Sequence, residues 1–287
     1  MNNTDKHAYC IMAHDNWEQL QLLINLLDDK RNDLFLHIDA KSLDVFNKSG
    51  GVKVKNSNLF FIENVDVRWS DISQTDTEVS LFKKVISTGI KYSRIHLISG
   101  ADLPIKSQDY IHDFFSIRSE EFIDFKTNPM FIKRIKYYHF FVRCRRKYIL
   151  ADLFRRIFLL FQIPFVNRLK HSKLKYAYGA NWCSLTYQAV KEIINQYPKF
   201  RYMFRYTTSS DELYKQMILQ AGNFSFAKEG CMRYVVFNHK APSPKILTMA
   251  DFDAISSSGC IFARKFNLKV DKNIINKVVS FKEGKKV

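Results

Sequence analysis

Residues 7–42, HAYCIMAHDNWEQLQLLINLLDDKRNDLFLHIDAKS, are the most informative part of the chain for predicting its fold. Residues 7–14 and 33–42 are apolar runs that predict buried strands. Between them, Asp15 and Glu18 have the spacing of a capping box, which predicts the start of a helix. Strand, helix and strand in this order form a βαβ unit, so we expect an α/β fold with a mostly parallel sheet flanked by helices. One face of the predicted helix carries Trp17, Leu20, Leu23, Ile24 and Leu27.

The alternation of strands and helices continues along the chain. Neither GxGxxG nor GxxxxGK followed by Ser or Thr occurs, so the common dinucleotide-binding and P-loop motifs are absent from the sequence. There is no internal repeat and no long linker, and we therefore predict one domain over residues 1–287. The further predicted elements are strands at 58–64 and 92–100, a helix at 73–90, a strand followed by a helix within 178–197, and a strand-like group that ends at 266.

Charge and cysteine content narrow the classes of partner and compartment. The net charge of +17 favours polyanionic partners: nucleic acid, phosphorylated substrates or an anionic membrane surface. The five cysteines are widely spaced and form no CxxC pair, so we expect reduced, mostly buried thiols in a cytosolic protein. The first residues hold no apolar core of signal-peptide length. The longest apolar run, 157–166, contains Pro164 and is too short for a membrane span, so we expect no transmembrane helix.

Residues 131–175 form a basic, aromatic-rich segment with thirteen Lys or Arg and one acid, Asp152. Arg155 and Arg168 flank Phe158 and other apolar residues, as in an interfacial amphipathic element. The composition fits a solvated face, or a docking patch for a membrane that carries a lipid-linked acceptor. It also permits a rival class, a nucleic-acid-binding protein.

Candidate binding residues follow the predicted strands, because open parallel sheets bind ligands beyond the carboxyl ends of their strands. His14, Asp39 and the turn 99–102 lie at such ends. Asp39 is a candidate nucleotide contact, and the alternative is an ordinary loop aspartate that caps the next turn. Asp211 and Glu212 are predicted at a helix start, where the helix dipole favours acids; the functional alternative is a general base.

Two acids and two cations near the C-terminus are candidates for a role in binding phosphate. Asp251 and Asp253 form an Asp-x-Asp, which could hold a divalent cation on a diphosphate or simply start a helix after Thr248. Arg264 and Lys265 end an apolar strand, where they are either solvated or bind an anion. Successive strand residues point to opposite faces, so both reach one anion only if the chain turns there.

The ordered set of motifs from Tyr9 to about Phe266 resembles the core-2/I-branching enzymes, a family that includes β-1,6-N-acetylglucosaminyltransferases and peptide O-xylosyltransferases. The resemblance implies a GT-A-like fold and an inverting transfer from a UDP-sugar to a hydroxyl. It implies no metal or other cofactor, because basic side chains neutralise the diphosphate. The resembling stretches are AYCIMAHDNWEQLQLLINLL, LFLHIDAKS, VRWSDISQTDTEVSLFKKVI, HLISGADLPIKS, YGANWCSLTYQAVKEII, SSDELYKQMIL and SPKILTMADFDAI with IFARKF.

Carried over to this chain, the resemblance assigns Glu212 as the catalytic base and Lys265 as the diphosphate-binding lysine. Arg264 matches an arginine that only some branches have. Asp39 matches the acid that contacts uridine, and His14 lies in the loop that lines the uracil pocket.

The remaining assignments concern the acceptor and a second phosphate-binding cation. The resemblance assigns Asn181 and Trp182 to the acceptor, and Asp102, in the turn after a predicted strand, is a further acceptor-binding candidate. The place of the second cation holds Pro242, and Lys245 three residues later is the candidate for that role. The resemblance favours GlcNAc or xylose as the donor sugar and a glycan as the acceptor, without nucleic acid. Animal members are lumenal, disulfide-bonded and anchored; without these features, the chain resembles a bacterial cytosolic relative in surface polysaccharide synthesis, peripheral on the inner face of the membrane.

Overall fold

The computed structural model describes residues 5–126, 128–140, 142–144, 149–238, 241 and 243–282. Pro242 and part of the basic segment lie outside the described residues. The strands are β1 (His7–Ala13), β2 (Asn32–Ile38), β3 (Asn58–Phe61), β4 (Arg94–Ser99), β5 (Asp102–Pro104), β6 (Cys183–Leu185), β7 (Arg233–Val235) and β8 (Phe262–Arg264). The helices are α1 (Trp17–Leu27), α2 (Leu43–Lys48), α3 (Ile72–Ser87), α4 (Gln108–Ser116), α5 (Lys133–Lys136), α6 (Ile149–Gln162), α7 (Tyr187–Arg205), α8 (Tyr214–Ala221), α9 (Phe252–Ser257) and α10 (Lys272–Lys282).

The central sheet has five strands in the order β3-β2-β1-β4-β6. The first four are parallel, and β6 runs antiparallel to β4. This confirms the predicted mostly parallel α/β sheet. A second sheet has the order β5-β8-β7, with β8 antiparallel to β5 and parallel to β7.

Helices cover both faces of the central sheet, as its continuous apolar strands require. Alternate side chains of β1 enter two separate cores: Ile11 lies in one with residues of α1, and Cys10 lies in the other with Phe82 of α3. Both faces of β1, β2 and β4 are therefore buried, and ligands reach this sheet only at the ends of its strands.

Local details differ from the predictions at two helix starts. The N-cap of α1 is Asn16, which has a left-handed backbone (φ 52°) and no side-chain capping bond, so the predicted Asp15–Glu18 capping box is wrong. Residues Ser210–Glu212 form a 3₁₀ turn, and α8 begins only at Tyr214. Ser209 precedes this turn in the left-handed region (φ 51°) without a capping bond. The local geometry thus separates Glu212 from the helix that follows it.

Two further predictions can be compared with the structure. None of the helices in the described part of the chain has the length and apolarity to cross a membrane. Cys10, Cys183 and Cys231 are buried free thiols, whereas Cys260 is partly exposed. The side chain of Cys144 lies outside the described residues.

Candidate active site

Two adjoining cavities open beside the carboxyl ends of the central strands. The sheet-edge cavity, of about 480 Å³, is lined by residues that follow β1, β2 and β4. The central cavity, of about 670 Å³, is lined in part by the 3₁₀ turn that holds Glu212. Both volumes suit a small-molecule ligand. The cavities share part of their walls: Trp69, Gln74, Trp182, Ser243, Arg264 and Lys265.

The sheet-edge cavity brings His14 and Asp39 together, as expected for residues at neighbouring strand ends. Asp39 is almost fully buried and accepts hydrogen bonds from the Lys41 backbone N (2.9 Å) and Nζ (2.8 Å). Asp39 therefore caps the short helix Ala40–Ser42, the alternative that the sequence left open, and also lines the cavity. Burial lowers the pKa of the neighbouring His37 to about 4, so this imidazole is neutral at physiological pH.

Arg264 and Lys265 line both cavities, so the two cations lie where the cavities adjoin. Arg264 Nε lies 3.1 Å from Asp102 Oδ1, an ion pair without the alignment of a hydrogen bond. The Arg264 guanidinium carbon lies 4.5 Å from the centre of the Trp182 ring. Burial lowers the pKa of Arg264, while Asp102 opposes this shift. Among the residues that the structure describes, no carboxylate forms an ion pair with Lys265.

Asp102 forms an ion pair with Arg264 in the protein interior and is not part of the cavity walls. Its carboxylate is fully buried and accepts hydrogen bonds from Ser99 N (3.0 Å) and Ser99 Oγ (2.8 Å). It lines neither cavity. The structure thus places Asp102 where it fixes a cation, and not where an acceptor assignment would need it.

Lys245 and the Asp-x-Asp pair also lie outside the two cavities. Lys245 Nζ donates to Asp251 Oδ1 (2.7 Å). Asp251 Oδ2 accepts from Thr248 N (2.9 Å) in a capping box, which confirms the predicted helix start after Thr248. Asp253 is exposed on α9. Within the described ranges no group of three or more His, Cys, Asp or Glu side chains is arranged to hold a metal ion.

Glu212 lies in the wall of the central cavity, with about a third of its side chain exposed (32%). Arg134 Nη1 donates to Glu212 Oε2 at 2.5 Å. The Arg134 guanidinium carbon lies 4.1 Å from the Phe131 ring centre and 5.4 Å from that of Tyr178. The Arg134 cation packs against two neighbouring aromatic rings, and these contacts help to fix the carboxylate beside it.

The neighbouring acid, Asp211, is in a different electrostatic environment. Gln74 Nε2 donates to Asp211 Oδ2 (2.9 Å), and Oδ1 has no hydrogen-bond partner in the described structure. Burial raises the pKa of Asp211, and the charge of Glu212 adds to this shift. Asp211 therefore favours its neutral form.

Asn181 belongs to a buried polar network behind the cavity wall. Its Nδ2 donates to Glu78 Oε1 (2.7 Å), and its Oδ1 accepts from Lys215 Nζ (2.5 Å). Lys215 and Glu78 form a fully buried ion pair at 2.6 Å. Burial raises the pKa of Glu78, against the effect of Lys215. Asn181 lines the central cavity, but its amide is already hydrogen-bonded to Glu78 and Lys215 in the protein interior. Trp182 lines both cavities.

The Lys215–Glu78 pair should control stability. We expect Lys215→Met to lower the free energy of unfolding by about 3–5 kcal/mol, because Glu78 would remain buried without its counter-charge. Urea unfolding followed by circular dichroism measures this change. Lys191→Met, an exposed lysine on α7, is the control and should change stability by less than about 0.5 kcal/mol. Equal stability of the two variants would contradict the expectation.

Several residues of the cavity walls were not found from the sequence. Trp69 and Gln74 are shared by both cavities, and Arg134 contacts Glu212. Trp69 is 44% exposed, and a tryptophan in a polar stretch outside any apolar period is a signal that could have been used. Arg134 carries no such signal, because it is one of thirteen cations in its segment.

The mostly parallel sheet has a ligand-sized cavity at the carboxyl ends of its strands, and cations and a carboxylate converge there. This arrangement is typical of an α/β enzyme that binds an anionic substrate. The sequence model of the Core-2/I-Branching enzyme family matches residues 7–256, and the chain belongs to that family. It is therefore a glycosyltransferase that uses a sugar donor. This confirms the resemblance found from the sequence.

One solved structure is distantly similar to this chain. The crystal structure of mouse xyloside xylosyltransferase 1 in its apo form matches 90% of this chain and 96% of that one, with 8% sequence identity and a TM-score of 0.36. A search of curated proteins finds no match.

Proposed function

We propose that this glycosyltransferase moves a sugar from a UDP-sugar to a hydroxyl of a glycan, with inversion at the anomeric carbon and without a metal ion. The observation that carries the proposal is the meeting of the two cavities at Arg264 and Lys265. A nucleotide in the sheet-edge cavity would have its diphosphate at this junction and its sugar in the central cavity. Asp39 and His14 are then the contacts of the nucleoside.

The cations stabilise the leaving group in this mechanism. As the bond between the anomeric carbon and the diphosphate oxygen breaks, negative charge accumulates on the departing UDP. Positioned charges lower the energy of such a transition state because they need no reorganisation. Asp102 and Trp182 hold Arg264 in place, and Lys265 adds a positive charge that no described carboxylate neutralises.

Glu212 is the general base of the proposed reaction. The acceptor oxygen attacks the anomeric carbon from the face opposite UDP, and Glu212 takes the hydroxyl proton. One carboxylate is sufficient for inversion, as for the water-activating base of inverting glycosidases. Arg134 donates a hydrogen bond to Glu212 and so positions the carboxylate that takes the proton.

The walls of the central cavity suit a sugar acceptor. Trp69, Tyr178 and Trp182 line this cavity together with polar groups, and sugar rings can pack on aromatic side chains. We propose GlcNAc or xylose as the transferred sugar and a lipid-linked glycan of bacterial surface polysaccharide synthesis as the acceptor. The enzyme would then act in the cytoplasm, at the inner face of the membrane.

A UDP-release assay tests the donor and the metal requirement together. We expect release from one of several UDP-sugars, dependent on acceptor and unchanged in EDTA. Loss of activity in EDTA would instead favour a metal-dependent transferase. Thermal unfolding provides a control on ligand class: UDP should raise the melting temperature without metal. Stabilisation by oligonucleotides alone would favour the nucleic-acid-binding alternative.

A further inference from the structure

Helix α6, in the basic segment, turns its apolar face to solvent. Most exposed apolar residues of α6 and the loop that follows it lie on one side: Leu150, Phe154, Ile157, Phe158, Phe161 and Phe165. Phe165 is 88% exposed. A surface helix of a globular protein normally buries this face, and an exposed patch of this kind marks an interaction site.

Polar contacts hold α6 in this orientation. Gln162 Oε1 accepts from Tyr138 N (2.7 Å), and Gln162 Nε2 donates to Tyr138 O (2.9 Å). Within the helix itself, Asp152 pairs with Arg155 and Arg156, each at 2.8 Å. Gln162 is buried, and the Arg155 side chain is nearly so (12% exposed), so the polar side of the helix faces the protein. The outward apolar face is thus a fixed feature of the fold.

We propose that α6 and residues 163–165 insert into the interfacial layer of an anionic lipid bilayer. An amphipathic helix binds such a surface through its apolar face and through cations at the level of the headgroups. Arg156 lies beside the apolar face and is 70% exposed. Lys170, Lys173 and Lys175 of the same segment are exposed as well. Cations near an anionic surface strengthen attachment, and the net charge of +17 acts in the same direction.

Charge also argues against two other occupants of this face. A second copy of the chain would bring the same patch and another charge of +17 to an isologous interface, so like charges would meet around it. Nucleic acid would meet apolar side chains where phosphates need cations. An anionic bilayer satisfies both the apolar face and the cations.

The docking face is connected by packing to the loop that holds Glu212. The Phe158 and Phe140 ring centres are 5.3 Å apart, as are those of Phe140 and Tyr206. Tyr206 is the C-cap of α7 and precedes the residues that lead to Glu212. Where the proposed function holds, docking would bring the central cavity near a lipid-linked acceptor. The membrane contact itself does not depend on that function.

Vesicle flotation tests the proposal without any substrate. The full chain should float with vesicles of phosphatidylcholine and phosphatidylglycerol, and binding should weaken in high salt. The variant with Phe154→Ser, Phe161→Ser and Phe165→Ser should bind about tenfold or more weakly, because three apolar contacts are lost. The control, Ile117→Ser with Val45→Ser, removes two exposed apolar residues elsewhere and should bind as the unchanged protein does.

The melting temperature of each variant establishes that it is folded. Failure of the unchanged protein to float, or equal flotation of the triple variant, would overturn the proposal. So would a dimer in solution that the triple variant converts to a monomer, because the face would then belong to a second copy. A result on vesicles leaves the UDP-release assay unaffected, so the two proposals fail separately.

Discussion

Glu212→Gln should lower kcat by about 10²–10⁴-fold, the usual contribution of a positioned general base. Glutamine keeps the size of the side chain and can still accept a hydrogen bond from Arg134, but it cannot take the acceptor proton. UDP binding should change little, because the nucleotide is proposed to lie in the sheet-edge cavity, whose walls do not include Glu212. Acceptor-dependent UDP release gives kcat, and calorimetric titration with UDP gives donor-site affinity.

Asp211→Asn is the matched control, since it changes the adjacent acid in the same cavity wall. Burial already favours the neutral form of Asp211, so its amide should retain activity within about tenfold at neutral pH. A Glu212→Gln enzyme with full activity, or a greater loss in Asp211→Asn, would transfer the role of base to Asp211.

The sequence was most informative where structure depends on local pattern. The βαβ opening could be predicted because apolar periodicity and burial in β1, α1 and β2 agree. The start of α1 could not, because its left-handed Asn16 is set by the chain around it and not by the residue types of a capping box. Local pattern thus predicted these three elements, whereas the turn between β1 and α1 required the three-dimensional structure.

The candidate site shows the same division. Arg264 and Lys265 could be noticed as cations that end a buried strand, whereas the role of Glu212 came only from the family resemblance. Arg134 is 78 residues from Glu212 in the chain, and no spacing rule predicts a contact over that distance. Lys245 was chosen for its place in the sequence, but its side chain is paired with Asp251 outside both cavities.

Lys265→Gln should lower kcat by about 10²–10³-fold, as removal of one positioned group that stabilises developing negative charge does in other enzymes. Lys265 matters in this way because its charge is uncompensated by the described carboxylates, while Arg264 already shares its charge with Asp102. Lys245→Gln is the matched control: it removes the same charge from a lysine outside both cavities, and kcat should not change. Equal losses in the two variants would point to the overall positive field and not to a contact.

Binding measurements on Lys265→Gln should distinguish a role of Lys265 in the transition state from a general attraction of anions. Free UDP carries more negative charge than the UDP-sugar, and it resembles the leaving group after the bond has broken. If Lys265 acts on the departing diphosphate, Lys265→Gln should weaken product inhibition by UDP more than it raises KM for the donor. Uridine, which has no phosphate, should bind the variant and the unchanged enzyme equally. A variant that loses affinity for uridine as well would show that Lys265 shapes the nucleoside pocket, and its catalytic assignment would then fail.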